Sequence, residues 1–147
     1  VYDIELGRAK GGLLAVARHD GYDASHGIIN HRKLYLSTGG GNLRGSDHLE
    51  YTGAPGEIAR LAVVRFHLHP RVTAAMLSNQ RVLIKIRGNR TGWVFRANGN
   101  VSLDTSLFFD IEGRMNCQQI VIKAALADIR SVGMVDVKWA FQRSDPQ

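Results

Sequence analysis

Apolar and polar residues alternate with a period of two along much of the chain, and this pattern constrains the fold more than any other feature. In residues 135–142 every second residue is a valine or an aromatic residue, and in residues 61–69 one face carries only apolar side chains. Successive side chains of a strand point to opposite faces, so the pattern is typical of half-buried antiparallel strands. Residues 81–87 and 93–96 flank a turn at 88–92, which predicts a hairpin with a loop of about five residues.

The rest of the chain carries the same signal in shorter pieces, separated by breaks rich in Gly, Asn, Asp and Ser such as residues 38–41 and 52–56. Two stretches suggest helix instead, namely residues 124–130 and a turn at residues 72–77. We therefore predict an all-β fold: a two-layer antiparallel β-sandwich of about ten or more short strands, with little helix, forming a single domain over residues 1–147. Further strands are predicted at residues 2–6, 13–18, 28–36, 42–51, 101–103, 107–109 and 118–124.

Composition excludes several classes of protein. The formal net charge is +6, yet 44% of the residues are hydrophobic and only 22% are charged, so the chain is a folded domain and not a disordered basic tail. The single cysteine, Cys117, excludes an internal disulfide and a Cys-rich zinc module. No run of residues approaches the roughly 18 apolar residues that a membrane-spanning helix needs, so no membrane partner is expected.

The basic residues concentrate in the predicted hairpin. Residues 81–96 hold five basic residues and no acidic one, and the alternation places Arg81, Lys85 and Arg87 on one face. Such a face could attract nucleic acid, an acidic polysaccharide or a neighbouring acidic domain, or it could be a solvated outer face. Trp93 and Phe95 share the other face as expected core partners, which argues against nucleic acid because stacking platforms would lie among the charges.

All six histidines fall in the first half of the chain. His67 and His69 are two residues apart on a predicted strand, so they point to one side, either as a metal pair or as a solvent-facing polar strand that stops at Pro70. His19 ends a predicted strand just before an Asp-Gly turn, where it could face a cleft or be an exposed turn residue.

Polar residues also lie within the next two predicted strands. His31 and Arg32 are followed by a lysine, which is typical of a solvated face, and Asp47 could accept a hydrogen bond from Arg44 or from a histidine. The sequence contains no Gly-x-Ser-x-Gly elbow, no Walker loop and no Gly-x-Gly-x-x-Gly that opens a helix.

Eight short motifs occur together in a particular order, and this ordered set resembles the C-terminal part of bacterial heparinase II/III-like proteins, especially those of alphaproteobacterial type. The resemblance extends from about residue 13 to residue 143. The motifs are ARHDGY (17–22), HRKLYL (31–36), NLRGSD (42–47), RFHLHPRV (65–72), GWVFR (92–96), SLDTS (102–106), QIVI (119–122) and KWA (138–140).

The resemblance implies a polysaccharide lyase, in which an N-terminal α/α toroid is joined to a C-terminal antiparallel β-sandwich. Such enzymes cleave uronic-acid polysaccharides by β-elimination, and their catalytic groups lie mainly in the toroid. We therefore expect this chain to be the C-terminal fragment of a longer lyase, with no catalytic residue of its own and a supporting role for the toroid or the substrate. The alternative is a non-catalytic carbohydrate-binding or interaction module.

The resemblance also implies site residues and partners. In zinc-bearing relatives the His of the His-Asp-Gly-Tyr motif binds a structural zinc together with an upstream His and Asp, which makes His19 the expected ligand of the intact protein, with no zinc held tightly by the fragment alone. Expected partners are an acidic polysaccharide and the toroid, in a bacterial protein of the periplasm or the cytoplasm. The substrate or interface candidates are Tyr22, His31, Arg32, His67, His69, Arg81, Lys85 and Arg87.

Overall fold

The computed structural model describes residues 1–53, 60–111 and 113–144. Strands make up 71% of the structure and helix 8%, in two antiparallel sheets, so the predicted all-β sandwich with little helix is confirmed. The predicted break at residues 52–56 falls largely outside the described residues. The strands are β1 (Tyr2–Ala9), β2 (Gly12–Tyr22), β3 (Ile28–Ser37), β4 (Asn42–Tyr51), β5 (Leu61–His67), β6 (Val72–Met76), β7 (Val82–Ile86), β8 (Gly92–Ala97), β9 (Asn100–Asp110), β10 (Gly113–Ala125) and β11 (Met134–Ser144).

Eight of these strands form one sheet in the order β1-β2-β3-β4-β11-β8-β7-β6, and three form a second sheet in the order β5-β10-β9. Two four-residue helices, α1 (Asp23–His26) and α2 (Ile129–Val132), and a 3₁₀ turn at Ser78–Gln80 complete the described elements. The chain divides into two compact units. Whether residues 1–147 behave as a single domain stays a prediction.

The first unit consists of Val1–Ala62 and Ala124–Ala140. Its register sets Leu6 opposite Ala15, Ala15 opposite Leu34 and Leu34 opposite Gly45, so one face of the sheet is continuous across β1 to β4. The core of this unit is formed by buried apolar side chains, which include Ile28, Leu49, Leu126, Ile129, Val137 and Trp139.

The second unit consists of Val63–Lys123 and Phe141–Gln147. Its centre is an aromatic cluster in which the ring of Phe66 lies 5.4 Å from that of Phe95 and 5.3 Å from that of Phe141. The β7–β8 hairpin has antiparallel register from Val82 opposite Phe95 to Lys85 opposite Gly92. Residues 87–91 connect the two strands, so the predicted hairpin and its loop length are confirmed.

Three local predictions were wrong, each because backbone pairing decided the conformation. Residues 72–77 do not form a helical turn, since β6 pairs with β7 from Val72 opposite Ile86 to Met76 opposite Val82. The helix expected at 124–130 is shorter, because the alanines at its start continue β10 and only α2 remains, ending at Gly133 with a φ of 78°. The strands predicted at 101–103 and 107–109 are one strand, β9, paired with β10 along its whole length.

No helix in the described parts of the chain is long and apolar enough to cross a membrane.

Candidate functional site

The end of β2 holds the imidazole of His19 in one orientation. A Cβ atom at Gly21 would overlap with His19 Cε1, so only glycine leaves room for the ring at this turn. The backbone N–H of Gly21 donates to His19 Nδ1 at 3.3 Å, and the ring of Tyr22 lies 5.4 Å from the imidazole. The His-Asp-Gly-Tyr motif is therefore a local device that fixes the ring of its own histidine.

Asp47 carries a buried carboxylate in β4, which is separated from β2 by β3. Its side chain is 1% exposed. Oδ1 accepts from Arg32 Nε at 2.6 Å and from Asn30 Nδ2 at 3.0 Å. Oδ2 accepts from the indole Nε1 of Trp139 at 3.1 Å. Both oxygens are thus hydrogen-bonded, which is the condition under which a buried charge is tolerated.

The partners expected for Asp47 were wrong. Arg44 donates to Asn42 Oδ1 at 2.9 Å instead. Because Arg44 and Asp47 are three residues apart on one strand, their side chains point to opposite faces of the sheet. The β3–β4 register sets Arg32 opposite Asp47, and this pairing was not anticipated from the sequence.

His19 and Tyr22 line a depression of about 260 Å³ in the first unit, together with Arg32, the partner of Asp47. Arg32 uses Nε for Asp47, while the structure gives its two Nη groups no partner among the residues it describes. Two more polar atoms there, Arg18 Nε and Asn30 Oδ1, are buried without a hydrogen-bond partner. Because those two atoms are inaccessible to solvent, the open donors of the depression are the Nη groups of Arg32. It is lined by Val1, Ala17, Arg18, His19, Tyr22, Asn30 and Arg32.

His31 points to the other face of β3 and does not line this depression. Its Nε2 lies 2.7 Å from Glu50 Oε2, and its ring stands edge-on to that of His48 at 5.6 Å. His48 Nδ1 in turn lies 2.9 Å from Asp136 Oδ1. Of the candidates in the first unit, the structure brings His19, Tyr22 and Arg32 together and places His31 elsewhere.

The histidine pair of the second unit contacts β9. His67 Nδ1 lies 2.6 Å from Ser106 Oγ, and the ring of His69 lies 4.8 Å from that of Phe108. Because Ser106 and Phe108 are two residues apart in β9, both histidines lie on the same side, as their spacing predicts. Within the described ranges, no three His, Cys, Asp or Glu side chains are grouped closely enough to hold a metal ion.

Basic residues in β7 and at its two ends form an exposed face, which we call the basic hairpin face (Arg81, Lys85 and Arg87). These three alternate with Val82 and Ile84, which are buried. In the described part of the chain none of the three has an ion-pair partner. The face is therefore available to an anion.

The structure has an all-β sandwich fold, with an arginine-lined depression in the first unit and the basic hairpin face in the second. Residues 3–139 match the family model described as "Heparinase II/III-like, C-terminal". The chain therefore belongs to this family, and the resemblance seen in its motifs is confirmed. A search of curated proteins found no match.

Solved structures agree on the fold. The chain is similar to a mutant of the heparan sulfate lyase HepC from Pedobacter heparinus, with a TM-score of 0.74, 11% identity, and coverage of 98% of this chain and 22% of that one. It is also similar to a second solved structure, the heparinase III BT4657 gene product, with a TM-score of 0.70 and 9% identity. That match covers 97% of this chain and 21% of the other one. The chain thus spans about a fifth of the length of these two proteins.

Proposed function

We propose that this chain serves as the C-terminal β-sandwich of a polysaccharide lyase that cleaves uronic-acid-containing acidic polysaccharide by β-elimination. The observation that carries the proposal is the family match over residues 3–139. In β-elimination a base removes the C5 proton, the electron pair forms a C4–C5 double bond, and the C4–O bond breaks as an acid protonates the leaving oxygen. The toroid of the longer protein supplies the base and the acid, and this chain supports the toroid or the substrate.

The proposal is tested by following the absorbance of the unsaturated product with heparin and alginate as substrates. We expect product from a longer protein that includes a toroid, and none from residues 1–147 alone. Activity of residues 1–147 alone would show that the catalytic base and acid lie in this chain. A longer protein that forms no unsaturated product from any uronic-acid polysaccharide would refute the lyase function.

We also propose that His19 is one ligand of a structural zinc in the longer protein, as the resemblance implies. On their own, the described residues do not form such a site, because they provide no group of three ligands. The local chemistry adds a constraint. Nδ1 accepts from Gly21 at 3.3 Å, so the neutral ring carries its proton on Nε2, and ligation through Nδ1 would replace that hydrogen bond.

Elemental analysis tests the zinc proposal. We expect no bound zinc in residues 1–147, and about one zinc per longer protein that falls to none in His19→Ala. His26→Ala, which removes the imidazole of α1 in the same unit, is the matched control and should retain the metal. Zinc retained in full by the His19→Ala protein would exclude His19 as a ligand.

A second candidate is a non-catalytic carbohydrate-binding module, which the basic hairpin face favours. Three unpaired cations on one strand face suit a polyanion and would make its binding sensitive to salt. Titration with heparin, alginate and a neutral glycan distinguishes a carbohydrate-binding module from a scaffold. Salt-sensitive binding that is lost when Arg81, Lys85 and Arg87 are all replaced by alanine supports the module, whereas the absence of binding to any glycan leaves the scaffold role.

A further inference from the structure

One face of strands β1 to β4 carries leucine side chains that are open to solvent. The antiparallel register sets Leu13 opposite Leu36 and Leu36 opposite Leu43, and the next row of the same face contains Leu6 and Leu34. We call this surface the leucine face (Leu6, Leu13, Leu34, Leu36 and Leu43). Leu6 is 81% exposed, Leu13 57% and Leu36 40%. All five side chains line a groove of about 670 Å³.

The opposite face of the same strands is the one adapted to water. Successive residues of a strand point to opposite faces, so residues that alternate with the leucines line this second face, and several of them are charged and exposed: Glu5, Lys33, Arg44 and Glu50. An antiparallel sheet commonly has one solvated face and one packed face. A single exposed leucine is ordinary, whereas a continuous apolar patch marks a contact surface. The leucine face is therefore suited to contact with another layer of protein.

The leucine face continues the buried core of the first unit. Leu34 lies opposite Gly45, and the indole of Trp139 packs so closely against Gly45 that a Cβ atom there would overlap with the ring. Trp139 is 6% exposed, whereas Leu36 is 40% exposed. The apolar face thus extends beyond the part of it that the first unit buries.

The same polypeptide is the best source of a covering segment. Residues 3–139 match a C-terminal family model, and the chain spans 22% and 21% of the two similar solved proteins, so roughly four fifths of each of those proteins lies outside the match. A covalently linked segment meets the face at a high effective concentration. It therefore occupies the face ahead of a second copy or a separate protein.

Arg8 defines the chemistry at one edge of the leucine face. It lies opposite Leu13, and among the residues that the structure describes it takes part in no ion pair. Covering it would bury a guanidinium, which is costly unless the group is hydrogen-bonded. The covering segment should therefore present apolar side chains to the leucines and a carboxylate or carbonyl oxygen to Arg8.

We propose that the leucine face is the docking surface for the N-terminal part of the longer protein, which packs apolar side chains against the leucines and an oxygen acceptor against Arg8. The inference rests on the proposed function only because it requires that longer protein. It does not depend on the lyase chemistry.

Thiol labelling of the longer protein tests the proposal. Leu36→Cys places a thiol on the leucine face, and Lys33→Cys places one on the opposite face of the same strand, where the parent residue is also exposed. Peptide mass spectrometry reads the label at residue 33 or 36, so Cys117 does not interfere, and each rate is divided by that of the same variant unfolded in urea. Leu36→Cys should react at least about tenfold more slowly than Lys33→Cys, because a buried thiol reacts only when the interface opens. Equal rates would overturn the proposal.

Residues 1–147 alone provide the second comparison. Here both thiols should react at similar rates, because the covering segment is not part of this shorter chain. Protection of Leu36→Cys in residues 1–147 that disappears on dilution would assign the face to a second copy and overturn the proposal. If Leu36→Cys destabilises the longer protein, Leu13→Cys on the neighbouring strand is a second probe of the same face.

The lyase assay separates this proposal from the proposed function. A longer protein that forms unsaturated product but labels Leu36→Cys as fast as Lys33→Cys would refute the docking surface alone. A longer protein that protects Leu36→Cys but forms no product from any uronic-acid polysaccharide would support the docking surface and refute the lyase function.

Discussion

A single methyl group at Gly45 would disturb the packing that holds the buried carboxylate. The Cβ of an alanine at this position would overlap with the six-membered ring of the Trp139 indole, at Cζ2, Cε2 and Cη2. Gly45 is not in the left-handed region of backbone conformation, so alanine adds no backbone strain. The whole cost of Gly45→Ala therefore comes from moving an indole that is 6% exposed.

The magnitude follows from two terms. Forcing extra volume into a packed core costs about 1–3 kcal/mol. A displaced indole also loses the hydrogen bond from its Nε1 to Asp47 Oδ2, which spans 3.1 Å, and a bond to a charged group contributes about 1.5–3 kcal/mol. We expect Gly45→Ala to lower the free energy of unfolding by about 2.5–6 kcal/mol. A protein of this size is stable by only about 5–15 kcal/mol, so the variant should be severely weakened.

Urea unfolding followed by circular dichroism measures this loss, and Gly7→Ala is the control. A Cβ at Gly7, also in a strand, would meet nothing within 4 Å, so this variant should be neutral or gain up to about 1 kcal/mol. Adding Trp139→Phe removes the atoms that collide, so Gly45→Ala should cost less in that background. The reasoning is refuted if Gly45→Ala and Gly7→Ala unfold at the same urea concentration.

Three further predictions concern single side chains. The side-chain amide of Gln118 accepts from the N–H of Ala74 at 2.8 Å and donates to its C=O at 3.1 Å. Gln118→Ala should therefore lower the free energy of unfolding in urea by about 1–3 kcal/mol. An unchanged urea midpoint would contradict this. Gly21→Ala should move the His19 ring, seen as a change in its imidazole NMR signals, while unchanged signals would show that the ring does not lie over the glycine. Asp47→Ala should cost about 2–5 kcal/mol because buried donors lose their acceptor, and a thermal midpoint within a degree of the parent protein would refute the network.

Local periodicity was enough to predict much of the fold. The β7–β8 hairpin follows from alternation on both sides of a Gly-rich turn, and the same alternation predicted the exposed side of β5. Both are properties of neighbouring residues, because a strand sends successive side chains to opposite faces wherever it is paired. β6 was missed because Ala74 and Ala75 have little strand propensity, and pairing with β7 overrides that weakness.

The candidate site was only partly visible in the sequence. The His-Asp-Gly-Tyr motif marked His19 and Tyr22, since the device that orients the ring lies within three residues. Arg32 was predicted to lie on a solvated face, because none of its neighbours in the sequence indicates a buried carboxylate. One signal was available for Asp47: its three-residue offset from Arg44 puts the two side chains on opposite faces of a strand, which excludes that pairing.

The sequence by itself determined the strand class, the hairpin, the basic hairpin face and the family, because these depend on residue types at short spacing. Only the tertiary structure decided which groups meet. Trp139 and Asp47 are 92 residues apart, and Arg32 and Asp47 are 15 apart. Such contacts depend on strand order and register, which arise from burial across the whole sheet and not from any local pattern. For that reason the arginine-lined depression could be found only in three dimensions.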